Sequence, residues 1–155
     1  MDPDTITQIY EANYRLVWNL CYTFLRNVQD VEDAVQDTFL RLIQSRRDFP
    51  TDEAVRAWLI VTARNVCRDE LKRSRRSNLP LEDADGRAAP IPEPDETLSA
   101  VRSLPDKYKA PIYLFYYEGL STAEISRLLS RRESTVRSDL RRGRLLLRQM
   151  LERST

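Results

Sequence analysis

The chain has 155 residues, 41% of them hydrophobic and 32% charged, and a formal net charge of only +1. It contains no histidine and only two cysteines, Cys21 and Cys67, far apart and inside apolar patterns; this excludes His-based catalysis and the usual zinc sites, and reads both thiols as reduced core residues. Glycine is scarce, strand-like alternation is absent and no apolar run approaches about 18 residues, so the expectation is an all-α, cytoplasmic protein with no membrane insertion.

The first helix is expected over about residues 5–26. Ile6, Ile9, Tyr10, Leu16, Val17, Leu20, Cys21 and Phe24 form its apolar face, flanked by Tyr14, Trp18 and Tyr22. Residues 27–30 break it, and Asp30 is the expected N-cap of a second helix, VEDAVQDTFLRLIQSRR. Val31, Val35, Thr38, Phe39, Leu42 and Ile43 share its inward stripe, whereas Glu32, Asp33, Gln36, Asp37 and Arg41 lie outside it. Residues 46–53 form a loop, because Pro50 disfavours helix at Phe49, and Thr51 can cap the next helix. That third helix, about 53–76, places Val55, Trp58, Leu59, Thr62, Ala63 and Val66 at helical spacing. It ends in Arg64, Arg68, Lys72, Arg73, Arg75 and Arg76, more cations than a helix dipole alone explains.

Residues 77–96 change character, with four of the eight prolines and six carboxylates against Arg87, a net of −5. So little apolar surface cannot offset the entropy of ordering, which makes this a linker between two small helical domains, 1–76 and 97–155. The second domain opens with a helix around 95–103 and another starting at Leu104-Pro105. Tyr108, Ile112, Phe115 and Tyr116 are expected to face inward in the latter. Pro111 should kink it or move its start, and Glu118-Gly119 ends it.

Ser121 to Arg148 then forms two helices joined by a tight turn. Ser121 with Glu124 is a capping box, and Ile125, Leu128 and Leu129 make the first apolar stripe. Val136, Leu140, Leu147 and Met150 or Leu151 make the second, leaving Ser134, Thr135, Arg137, Ser138, Arg141, Arg142, Arg144 and Arg148 on other faces. Residues 131–148 hold seven arginines against Glu133 and Asp139, a net of +5. A short helix, a turn and an Arg-rich second helix is how a helix-turn-helix presents a reader to the major groove, and Arg suits phosphate and guanine through its planar fork.

In order along the chain, DVEDAVQDTFLRLI, RAWLIVTARNVCRDELKRSRR and LPDKYKAPIYLFYYEGLSTAEISRLLSRRESTVRSDLRRGR resemble the extracytoplasmic-function class of bacterial sigma-70 family sigma factors. The likeness covers nearly the whole chain. It implies a promoter-specificity subunit without catalysis or cofactor of its own, built of a region 2 bundle and a region 4 helix-turn-helix. The partners it implies are core RNA polymerase, promoter DNA and an anti-sigma protein, which could hold the chain at the membrane. The first motif would dock on the clamp coiled coil of the polymerase's largest subunit through Asp33, Gln36, Asp37 and Arg41 around Phe39 and Leu40, and region 4 on the flap of the second-largest subunit. Phe39 could equally be core.

The loop at Arg46, Arg47, Asp48 and Phe49 resembles the family's specificity loop, which captures a flipped base of the −10 element; Phe49 could instead plug the core. Arg64, Asn65, Arg68, Lys72 and Arg73 match the DNA-facing surface, with Trp58 either core or wedge. In region 4 the resemblance implies that Ser134, Thr135, Arg137, Ser138 and Arg141 meet bases of the −35 element, while Arg142, Arg144 and Arg148 meet phosphates. The acidic linker resembles the segment that threads the RNA-exit path, or is a solvated tether.

The turn departs from the family pattern. Ser130 and Arg131 stand where Gly and an apolar residue are usual, and Ser in a left-handed turn costs about 1 kcal/mol relative to Gly. Arg132 stands at the start of the reading helix, and Asp139 where a basic residue is frequent. Asp139 could select a cytosine amino group, pair with a neighbouring Arg, or point away. Two other functions fit part of the chain. A stand-alone helix-turn-helix regulator accounts for 121–148 but not for the first half. A metal-dependent nuclease using Glu32, Asp33 and Asp37, with a cation between the last two, lacks an accompanying base, nucleophile or phosphate loop.

Overall fold

The structure is a computed structural model that describes residues 1–77 and 96–153. Most of the expected linker, and the side chains of Arg75 and Arg76, fall outside the described residues. Seven helices and no strand are found among those described: α1 Pro3–Phe24, α2 Val28–Ser45, α3 Asp52–Ser77, α4 Glu96–Arg102, α5 Asp106–Tyr116, α6 Thr122–Leu129 and α7 Glu133–Arg153. The chain divides into two compact units, Met1–Pro92 and Glu93–Thr155.

In the first unit α1, α2 and α3 pack mutually. Asp2 caps α1 by accepting from the Thr5 backbone N–H at 2.7 Å, with Pro3 in the first turn. The second helix starts three residues before the expected point. Its N-cap is Asn27, which accepts from the Asp30 N–H at 2.8 Å, so Asp30 sits inside the first turn instead of capping it. Val17, Trp18, Leu20, Cys21, Val31, Leu42, Leu59, Ile60 and Cys67 are all but inaccessible. Each such large aliphatic side chain contributes about 1.5–3 kcal/mol through burial. Trp18, expected as a flank, is core, because α1 packs against both α2 and α3; Tyr10 and Ile43, expected as core, are 43% and 47% exposed. The Cys21 thiol beside Cys67, together with burial, pushes the Cys67 thiol well above its ordinary range, and both cysteines are free.

In the second unit α5 and α7 form the main contact, with α4 and α6 against both. Helix α5 runs through Pro111, so that proline does not move the start, which Pro105 caps without a side-chain bond. The buried side of α5 is Tyr108 to Leu114, including Tyr113 and Leu114. Phe115 is only half-buried and Tyr116 is 49% exposed, contrary to their expected inward positions, because the helix ends there. Gly119 takes a positive φ of 68° that lets the Leu120 N–H return to the Leu114 carbonyl at 3.1 Å.

Gly143 is what lets α5 and α7 approach. A Cβ there would lie 2.8 Å from Ile112 Cγ1, in a side chain that is fully buried. Gly143→Ala should gain about 1 kcal/mol in helix propensity and lose about 1–3 kcal/mol to overpacking, a net loss read as a lower Tm for the second unit.

Candidate polymerase and nucleic-acid interfaces

The outer side of α2 combines acids with an uncovered apolar strip. Asp33, Gln36 and Leu40 are exposed; Asp37 and Arg41 are half-buried and pair at 3.2 Å across one turn. The Gln29 amide donates to Asp33 at 3.2 Å. Phe39 is only 7% exposed and meets Tyr10 edge-on at 4.8 Å between centroids, so it is the floor of this surface and part of the core at once. Beside it lies a groove of about 480 Å³ lined by Tyr10, Tyr14, Gln36, Phe39, Leu40 and Ile43 among others. Burial, with Tyr10 and Glu32 nearby, pushes the Tyr14 phenol up. Tyr10 and Ile43 escaped the sequence-based site because periodicity assigned them to the core.

At the C-terminal end of α2, Arg46 adopts the left-handed conformation with φ 52°, and its N–H reaches the Ile43 carbonyl at 3.4 Å. The chain then turns sharply into the loop. The Arg47 guanidinium lies 5.4 Å above the Phe49 ring, and Phe49 meets Trp58 edge-on at 5.9 Å. Phe49 and Trp58 are both half-buried, so this stack is neither a sealed plug nor a free wedge. Thr51 accepts from the Ala54 N–H at 3.1 Å, as expected of a cap. A cleft of about 560 Å³ separates the loop from α1, with Asp48, Phe49, Thr51, Asp52 and Arg56 on one side and Gln8, Ile9 and Asn13 on the other. Arg46 and Arg47 do not line it. Along α3, Arg64 is half-buried and Asn65, Arg68, Lys72 and Arg73 are exposed; Glu70 pairs with Arg73 and holds its guanidinium pKa up.

The capping box on α6 is complete: Ser121 accepts from the Glu124 N–H at 3.1 Å, and Glu124 accepts from the Ser121 N–H at 3.0 Å. Ser130 ends α6 at φ 54°, the Arg131 N–H returns to the Ser126 carbonyl at 3.1 Å, and the Ser126 hydroxyl donates to the Arg131 carbonyl. The turn geometry thus survives the loss of Gly. Thr122 donates to Glu133 at 2.9 Å, and Glu133 pairs with Arg137 at 3.4 Å, joining the starts of α6 and α7.

Ser134, Arg137, Ser138, Arg141 and Arg144 converge on a cleft of about 480 Å³ with Phe115, Tyr116 and Thr122. Thr135 and Arg142 are exposed but do not line it. Arg148 faces a different, more apolar groove with Val101, Leu147 and Leu151, and Arg144 borders both. Tyr116 and Thr122 are contributors that sequence reasoning left out of the site. Asp139 is 6% exposed and lies 3.3 Å from Arg131, which settles its orientation: it pairs inward and does not face the outer surface. The same Arg131 nitrogen donates to the Lys107 carbonyl at 2.8 Å. That carbonyl is the acceptor left open by Pro111, which has no N–H. Among the described residues no three His, Cys, Asp or Glu side chains form a group that could hold a metal, and no helix is long and apolar enough to cross a membrane.

The family model for sigma-70 region 2 matches residues 9–77, and that for sigma-70 region 4 matches residues 95–147. The chain is 31% identical over 149 residues to the ECF RNA polymerase sigma factor SigM of Mycobacterium tuberculosis, covering 93% of this chain and 76% of the relative. It is 27% identical to the ECF sigma factor SigW of Bacillus subtilis, covering 97% and 90%. Among solved structures, its fold is similar to that of the sigma factor RpoE of Bartonella quintana, crystallised with the anti-sigma factor NepR. The TM-score is 0.74 at 20% identity, covering 94% of this chain and 96% of that one.

Ser121→Ala removes one half of the capping box and should cost about 1 kcal/mol. For a unit of this size that lowers Tm by about 4–8 °C in a circular dichroism melt, with the first unit unaffected.

Proposed function

The chain belongs to the ECF RNA polymerase sigma factors of the sigma-70 family, and from that premise we propose how its residues divide the work of promoter recognition. A sigma factor directs core polymerase to promoters, so the chemistry of RNA synthesis stays with the core enzyme and this chain contributes binding. It acts in the cytoplasm, where an anti-sigma partner would occlude it, at the membrane if that partner is anchored there.

Residues 1–76 carry core binding and −10 recognition, 77–96 link, and 97–155 read the −35 element. The observation that carries this division is the pair of dissimilar surfaces: uncovered apolar side chains with acids on α2, and a cluster of arginines and hydroxyls around α7. An exposed apolar strip rimmed by carboxylates favours a protein partner with matching cations. Asp33, Gln36, Asp37, Leu40 and Arg41 supply that contact, with Tyr10 and Ile43 widening it and Phe39 beneath. The cleft at Asp48 and Phe49 accepts the flipped −10 base, with Phe49 as its stacking surface, and Arg64, Asn65, Arg68, Lys72 and Arg73 track the strand. Ser134, Arg137, Ser138 and Arg141 meet base edges in the major groove, joined by Thr135. Arg142, Arg144 and Arg148 take phosphates and fix register.

The direct test is reconstitution with core polymerase and promoter-dependent run-off transcription. Transcription that needs the chain, and stops when either promoter element is scrambled, supports the division. Tight duplex binding by the chain alone, with no affinity for core enzyme, overturns it. Because Leu40 is half-exposed, Leu40→Asp should leave the fold intact and weaken core binding at least about tenfold, measured by fluorescence anisotropy. The DNA side gives a second contrast. Arg142→Ala should weaken holoenzyme binding equally on all −35 sequences and flatten the log–log salt slope by about 0.9. Arg137→Ala should cost about 1–3 kcal/mol on the preferred sequence only.

A further inference from the structure

We propose that Arg131 and Asp139 are a positioning pair for −35 reading: together they fix how α7 sits on α5, and neither touches a base. The proposal rests on α7 being the −35 reader. At about 100° per residue, Asp139 lies roughly 200° around the helix from both Arg137 and Arg141, away from these two proposed readers. It is buried there with Val136, Leu140 and Gly143.

A single guanidinium nitrogen of Arg131 reaches both the Lys107 carbonyl at 2.8 Å and the Asp139 carboxylate at 3.3 Å, and so bolts α5 to α7 at the turn. The turn backbone is held as well, by Ser126 bonding both the N–H and the carbonyl of Arg131. Each part depends on another. Pro111 opens the Lys107 carbonyl, Arg131 fills it, and Asp139 neutralises Arg131 where only 23% of that side chain is exposed. Hydrogen bonds are directional where apolar contact is not, so this clamp fixes the tilt of α7 as well as its distance from α5. A change in tilt displaces the base-facing side chains of α7 from their positions in the groove.

The test uses holoenzyme reconstituted from core polymerase and the full chain, on two promoters that differ only in a scrambled −35 element, the intact element being selected with wild-type holoenzyme. The readout is the ratio of open complexes, alongside core affinity and far-UV circular dichroism. Asp139→Asn should lower the ratio about fivefold with helix content and core affinity unchanged. Arg131→Leu should lower it by more than about tenfold, the Arg131→Leu/Asp139→Leu double variant should fall no further than Arg131→Leu alone because the clamp is already lost, and Arg131→Lys should hold near wild type. If Arg131→Leu fails to fold, the nearly isosteric Asp139→Asn carries the test. An unchanged ratio in folded Asp139→Asn, or losses that simply add in the double variant, overturns the proposal. So does a changed preference at one base pair, the signature of direct reading by Asp139. A wild-type ratio of one removes the −35 assignment itself, and is told apart because no variant is needed to see it.

Discussion

Asp139 brings a carboxylate into a small unit whose other buried groups are mostly apolar, and much of the local architecture answers that demand. A buried charge without a partner costs several kcal/mol, a large share of what so small a core can supply. Arg131 meets it from the turn, and its remaining reach satisfies the carbonyl that Pro111 leaves open in α5. Two features that are each unfavourable alone, a proline inside a helix and an acid on a buried face, are joined by one guanidinium. The cation this withdraws from the surface is small against the arginines of α7, which keep the outer face positive.

The first unit works by a different physical principle. Its three helices close over Val17, Leu20, Cys21, Leu42 and Leu59 so completely that the core needs no polar device. Buried Thr38 and Thr23 return their hydroxyls to carbonyls of their own helices, at 2.7 Å each. What this unit leaves over is apolar surface: Tyr10, Leu40 and Ile43 remain exposed around the buried Phe39. Uncovered apolar area is unstable in water by the same term that builds the core, so it favours a partner that removes it.

Most helices were legible because their signals are local. The Ser121–Glu124 box, the break near Asn27 and the stripe Val31, Val35, Thr38, Leu42 all act within four residues. Four errors of burial share one cause. Tyr10, Ile43, Phe115 and Tyr116 have core periodicity, yet burial requires a neighbouring helix at that height, and periodicity carries no information on where neighbours end. Asn27 displaced Asp30 as the cap because both residues suit the position, and the choice turned on where the preceding helix released the chain.

The sequence alone determined that the chain is helical, that two domains flank an acidic, Pro-rich stretch, that cations gather on the last helix and that it is similar to a sigma factor. Those properties come from composition and from spacings of three and four residues, which the backbone geometry of a helix converts directly into faces. It also placed Pro111 inside a helical segment and Asp139 where a basic residue is frequent, as two separate anomalies. Only the tertiary structure made them one feature, since Arg131 meets a carbonyl 24 residues earlier and a carboxylate eight residues later. Contacts across such separations depend on how helices pack on one another, and packing is a property of the assembled core that no local spacing encodes.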